Sequence, residues 1–180
     1  MNPQLLKLIL MDVLLGYVPQ AAGCAICLFM INRVSINSQK YYLTACIFAA
    51  IAIFVRTSYN IGLIDFGFHT VFIWALFILI AIWYDKFPAM QSICSILLSG
   101  ILIAAAELLT AGAMIIIYGD EEFTAIMNNT ATIEGKITKA TYGIPANMLF
   151  VLLVLLLYFI KRTLKKRKLR KQGEQNGTLG

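Results

Sequence analysis

Five ionisable side chains, Asp12, Arg56, Asp65, His69 and Glu107, stand within or beside long apolar runs of the chain. Glu107 is the clearest case: in "AAAELLTAG", residues 104–112, it sits among small apolar residues, and no other charged side chain lies between Lys86 and Asp120. A charge inside a bilayer costs about 2.5–3.5 kcal/mol on insertion scales, so such groups face a protein interior or water and often mark ligand or proton sites. Arg56 and Glu107 have the complementary shapes of a bidentate ion pair, and His69, the single histidine, can change charge near physiological pH. The same residues also admit a purely structural reading, in which an interhelical ion pair registers the bundle and boundary residues snorkel to interfacial water.

Other site chemistries fit the sequence poorly. Cys24 and Cys27 form "CAIC", but no histidine is near and the surroundings are apolar, so with Cys46 and Cys94 they are expected to be buried packing residues rather than metal ligands or a redox pair. All four map towards the end of the spans opposite His69, which argues against a Cys–His dyad. No glycine-rich phosphate loop, HExxH or pair of aspartates on one helix occurs. The expectation is a protein with no catalytic residue, no metal and no cofactor.

These side chains must be positioned by membrane helices. Hydrophobic residues make up 60% of the chain and charged residues 13%, with a mean hydropathy of +0.80, whereas about a quarter of a globular domain is charged. At about 20 residues per span, 180 residues suffice for one membrane domain of five or six spans. The apolar runs read as five, at residues 4–31, 41–61, 66–84, 90–118 and 144–160. The first carries Asp12 and lacks a basic flank, so it is expected to be retained rather than removed as a signal peptide.

Charge orients the bundle. Residues 1–160 hold seven Lys/Arg against eight Asp/Glu, while residues 161–180 hold eight against one. Arg33 and Lys40, Lys86 and the basic end all fall on one side, which the positive-inside rule makes cytoplasmic. The expected fold is therefore an all-α, polytopic transmembrane helical bundle of about five spans, N-outside and C-inside, over residues 1–162, with a basic cytoplasmic tail at 163–180. Lys161, Arg162, Lys165, Lys166, Arg167, Lys168, Arg170 and Lys171 follow a span directly, a place that favours contact with anionic lipid headgroups or a protein partner over nucleic acid. The polar end "KQGEQNGTLG" reads as disordered.

Local signals refine the picture. Gly16, Pro19 and Gln20 in "GYVPQAAG" predict a kink in the first span, and Pro145 is expected at the first position of the last helix. In the acidic segment after residue 118, Phe123, Ile126 and Met127 share a helical face, which predicts a short surface helix. Ala104, Ala105, Ala111 and Gly112 offer a face for close helix packing. At about 1.5 Å per residue, a helix entering near residue 90 rises roughly 25 Å by Glu107, which puts that residue in the outer half of the bilayer. Arg56, Asp65, His69 and Asp12 map to the same side, so an outward-opening polar cavity is expected to gather them.

The succession "FVRTSYNIGLIDFGFHTVFIWALFILIAI", then "AAELLTAG", then "IMNNTATIEGKITKATYGIPANMLFVLLVLLLYFIKR" resembles the membrane-spanning input regions of Gram-positive, clostridial-type sensor histidine kinases and related stand-alone membrane proteins. The likeness covers roughly residues 40–162, on the "FGFHT" start of one span and the "YGIP" approach to another. It implies a signal-reception or accessory module of a two-component system in the bacterial cell membrane, with Arg56, His69 and Glu107 at the recognition site. It further implies a histidine-kinase-like or other ATPase partner; membrane lipids and further copies of the chain are the other partners expected. A small transport component that captures a solute for a partner ATPase, and a membrane scaffold, remain the alternatives.

Overall fold

The structure, a computed structural model, describes residues 3–60, 68–129 and 132–177. Among these, every regular element is helical. In chain order they are α1 (Pro3–Met11), a π-helical segment (Asp12–Tyr17), α2 (Val18–Ile31), α3 (Gln39–Asn60), α4 (Phe68–Trp83), α5 (Ala89–Tyr118), α6 (Asp120–Asn128) and α7 (Ile133–Gly177). Among the described residues, four stretches are long and apolar enough to cross a bilayer, Leu6–Ile31, Gln39–Ser58, Ala89–Tyr118 and Ile133–Lys165, beside the shorter apolar helix His69–Trp83.

The hub is α2, which packs against α3, α5 and α7. Nine of its 14 residues are buried, Ala21 and Gly23–Met30, and a helix apolar all round belongs in the centre of a bundle. Close approach is obtained with glycine: a Cβ at Gly23 would overlap the Phe150 ring of α7, and one at Gly100 of α5 would overlap the Trp74 indole of α4. Of the small-residue face expected in α5, Gly112 meets nothing within contact distance, whereas Gly23 and Gly100 receive the neighbouring rings. Phe48 and Phe77 stack at 3.9 Å between ring centroids and join α3 to α4.

Polarity is distributed inside out. The core buries Ser92, Ser95 and Ser99, while Phe54, Trp83, Leu108 and Ile116 are exposed. In lipid, large apolar side chains gain nothing from burial, and small residues that allow tight helix contact are favoured inside. The serine hydroxyls donate to the carbonyls one turn back, Pro88, Gln91 and Ser95, so their burial leaves no donor unsatisfied. Of the four cysteines, Cys24 and Cys27 are buried as expected, but Cys46 and Cys94 are exposed on the apolar surface.

Two proline and tail expectations are corrected. Helix α7 begins at Ile133, so Pro145 lies inside it rather than at its first position; "IEGKITKATYG" continues the helical pattern upstream, and the proline is absorbed within the run. The same helix continues to Gly177, so most of the polar end expected to be disordered is helical.

The end of the bundle at the α4–α5 connection is held by polar contacts. Asp85, in the α4–α5 connection, has a side chain with no exposure; its Oδ1 accepts from the Thr44 hydroxyl at 2.8 Å and lies 4.0 Å from Lys40 Nζ. Lys40 also donates to the Asp85 carbonyl and lies over the Phe87 ring, which meets Phe29 edge-on at 5.3 Å. Lys161 donates to the Met30 carbonyl at 2.7 Å, satisfying an acceptor at the C-terminus of α2, where helices favour cations.

Burial pushes the Asp85 carboxyl above its ordinary 3.8, opposed by the Thr44 hydrogen bond and the Lys40 charge. A pKa raised on folding gives stability that is fully present below the unfolded value and is lost as pH rises through the folded one. Asp85→Asn is therefore expected to flatten the fall in unfolding temperature with rising acidic pH, followed by fluorescence of Trp74 and Trp83. Gly23→Val should destabilise by about 1–3 kcal/mol through overpacking, and an unchanged denaturation midpoint would refute the Phe150 contact.

Candidate functional site

The site is built around an interruption in the first membrane helix. Pro19 has no N–H to give the Leu15 carbonyl, its normal acceptor one turn back. Upstream the helix widens into the π segment, where the Val18 N–H bonds to the Val13 carbonyl; π segments commonly occur at functional sites. The Asn147 amide of α7 completes the arrangement. Its Nδ2 donates to the Leu15 carbonyl at 3.1 Å, and its Oδ1 accepts from Gln20 Nε2 at 2.8 Å. The predicted kink is thus a helix defect tied to a second helix by a bridging side chain.

Two adjoining cavities open beside this defect. The larger, of about 440 Å³, is lined by the π segment, α5, α6 and α7, and includes Asp12, Tyr17, Arg56, Glu107, Lys139 and Asn147. The smaller, of about 250 Å³, reaches deeper to Cys24, Trp74 and Gly100. Tyr17, Gln20, Arg56 and Glu107 line both, so the two form one chamber with these residues at its waist. Helix α6 supplies Phe123 and Met127 to the wall. The predicted surface helix forms, with Asp120, Glu121 and Glu122 in its first turn, and its apolar face covers the chamber.

Three of the five ionisable residues singled out in the sequence, Asp12, Arg56 and Glu107, line this chamber. His69 is buried, at 6% exposure; it precedes Thr70, which lines the deeper part, and lies within electrostatic range of Arg56. Asp65 lies outside the described residues. The direct Arg56–Glu107 ion pair expected from their chemistry is absent: among the described residues the salt bridge is Lys40–Asp85. Arg56 instead lies over the Tyr17 ring, 5.2 Å from its centroid, and the Tyr17 hydroxyl interacts with both Asp12 and Arg56. A tyrosine that offers both a ring face and a hydroxyl replaces the carboxylate as the arginine's neighbour.

Tyr17, Gln20, Lys139 and Asn147 escaped the sequence reading as site residues. The signal for Gln20 and Asn147 was present, since each is an amide within an apolar helix, where it must find a partner. Lys139 looked like part of a soluble loop because α7 was placed to begin after it. Of the basic residues at the other end, Lys161, Arg162, Lys165 and Arg167 are exposed along α7, while the side chains of Lys166, Lys168, Arg170 and Lys171 lie outside the described ones.

No protein-family model, no curated protein and no solved structure matches the chain. Fold and site define an all-helical, multi-pass membrane protein whose polar chamber lies between the first membrane helix and α7. Among the described residues no group of three metal-ligating side chains gathers.

Asn147→Leu removes the donor to Leu15 and the acceptor for Gln20, and is expected to destabilise by about 1–3 kcal/mol. With Pro19→Ala the restored N–H can serve Leu15, so the same substitution should cost less in that background. A double-mutant cycle on unfolding midpoints measures the difference; strict additivity would sink the assignment of Asn147 to the proline defect.

Proposed function

We propose that the chain is a non-catalytic membrane receptor module. It crosses the bacterial cell membrane five times, N-outside and C-inside, with the described part of α4 belonging to the third span. The outer chamber binds a small extracytoplasmic ligand, and the change passes to a cytoplasmic partner of the histidine-kinase-like ATPase kind. One observation carries the proposal: Lys139, Gly143 and Asn147 of the chamber wall belong to the same helix as the basic segment from Lys161 onwards. At about 1.5 Å per residue, the 45 residues of α7 extend roughly 68 Å, enough to carry a movement from the outer end through the bilayer to the inner surface.

The coupling element is the Asn147 amide. It holds Gln20 and Leu15 of the first membrane helix, and both Gln20 and Asn147 line the chamber. A ligand that competes for either amide loosens α7 from the hub, so its differential affinity for the two arrangements becomes the signal. The exposed cations of the tail meet anionic headgroups or an acidic partner surface. A transport component is the second reading, favoured by the π segment and Pro19, since helices broken beside a polar site are a device of secondary transporters.

Affinity capture from native membranes of the full chain, beside one lacking residues 161–180, separates these readings. A kinase-like ATPase retained only by the full chain is the expected result; a transport ATPase, or solute uptake by the purified protein in proteoliposomes, would replace the receptor with a carrier. Ala111→Cys, on the chamber wall, should react with a membrane-impermeant thiol reagent added from outside. Protection from outside with labelling from inside would reverse the orientation.

A further inference from the structure

The chamber carries its own specification of charge. Asp12 and Glu107 contribute two carboxylates, Arg56 and Lys139 two cations, and the formal sum is zero. No salt bridge joins any of the four, the ion pair among the described residues being Lys40–Asp85 at the other end of the bundle. Asp12 is served by the Tyr17 hydroxyl, which also meets Arg56, and the Asp12 carboxylate lies within electrostatic range of Arg56 without a salt bridge. Arg56 keeps a buried Nε with no hydrogen-bond partner, and the Glu107 carboxylate has no ion-pair partner. Both stand at the waist where the two parts of the chamber meet. The rest of the wall is largely apolar, with Met114, Phe123 and Met127 beneath and within the α6 cover.

A ligand with one charge satisfies half of this arrangement. An anion on Arg56 would bring a second negative charge towards Glu107, and a cation on Glu107 would face the guanidinium; each is repelled by the group it does not pair. A ligand that brings both charges pairs both and leaves the chamber neutral, which matters because an uncompensated charge out of bulk water is costly. A volume of about 440 Å³ lies at the lower end of small-molecule sites, about 300–1,000 Å³.

We infer that the chamber takes a small amphipathic zwitterion of the apolar α-amino acid or dipeptide class, its carboxylate on Arg56, its ammonium on Glu107 and its side chain against Met114, Phe123 and Met127. Asp12 and Tyr17 orient the guanidinium from behind, and Lys139 stands at the mouth, where its side chain is exposed. The ligand class rests on the chamber being the binding site of the proposed receptor.

The test uses the full chain in lipid nanodiscs and reads the shift in unfolding temperature against ligand concentration, since a ligand that binds only the folded state stabilises it by mass action. The probes are L-leucine, L-methionine and L-leucyl-L-leucine as zwitterions, with N-acetyl-L-leucine as the anion-only and L-leucinamide as the cation-only analogue. A saturable shift is expected with at least one zwitterion, with half-saturation at least tenfold higher for both singly charged analogues. Arg56→Gln should abolish the preference for leucine over leucinamide, and Glu107→Gln the preference for leucine over N-acetyl-leucine. Should Arg56→Gln fail to fold, Glu107→Gln, whose side chain is exposed to the cavity, carries the comparison.

A singly charged analogue that binds as well as leucine would overturn the ligand class, and so would the absence of a saturable shift with all three zwitterions. Labelling of Ala111→Cys from outside distinguishes these failures from a deeper one. If the cysteine is labelled, the chamber stands and only the ligand class falls; if it is not labelled from outside, the outward-facing receptor falls with it.

Discussion

The structure turns on one backbone carbonyl. In hydrocarbon every peptide group must find a partner within the protein, and Pro19 deprives Leu15 of its usual one. The first membrane helix accommodates the loss by widening into a π segment and by accepting a hydrogen bond from Asn147. Because the repair comes from a side chain of another helix, the defect fixes the relative position of the first helix and α7. Asp12 and Tyr17 are presented by the π segment itself, and Gln20 follows one residue after the proline. The chamber is a direct consequence of how the proline is tolerated.

The two ends of the bundle differ in how they are held. At the end that carries the α4–α5 connection, an aromatic contact between Phe29 and Phe87, the buried Asp85–Thr44 hydrogen bond and Lys161 on the α2 carbonyl fasten together elements far apart in the chain. At the opposite end charges stand around a cavity without a salt bridge among them, and the cover is a nine-residue helix that packs on α5 and α7. Local opening draws on regions with few buried contacts, so the chamber end is the easier of the two to rearrange. Helix α7 belongs to both ends.

Much of this was legible in advance because two strong rules act on the chain. The cost of charge in a membrane singled out Asp12, Arg56 and Glu107, and the shared helical face of Phe123, Ile126 and Met127 in an acidic segment located α6. The failures are equally physical. Pro145 looks like a helix start because proline is favoured there, yet the pattern of "IEGKITKATYG" carries the helix across it. Arg56 and Glu107 look like an ion pair because their chemistry matches, yet they form no salt bridge and the guanidinium lies over the Tyr17 ring. Gly112 looks like a packing residue, but whether a small residue is used depends on the neighbour it meets, and none is there.

By itself the sequence determined that the chain is a helical membrane protein with ionisable groups in its apolar runs, since composition and the energy of transferring charge are properties of the residues alone. It also determined where the first helix must be irregular, because a proline lacks its N–H in any fold. Only the tertiary structure decided that Asn147, more than a hundred residues away, repairs that irregularity, that Gly23 and Gly100 rather than Gly112 receive the neighbouring rings, and that Asp12, Arg56 and Glu107 share a chamber without a salt bridge among them. These are matters of distance between helices, and distance is set by the packing of α2 against α3, α5 and α7 together.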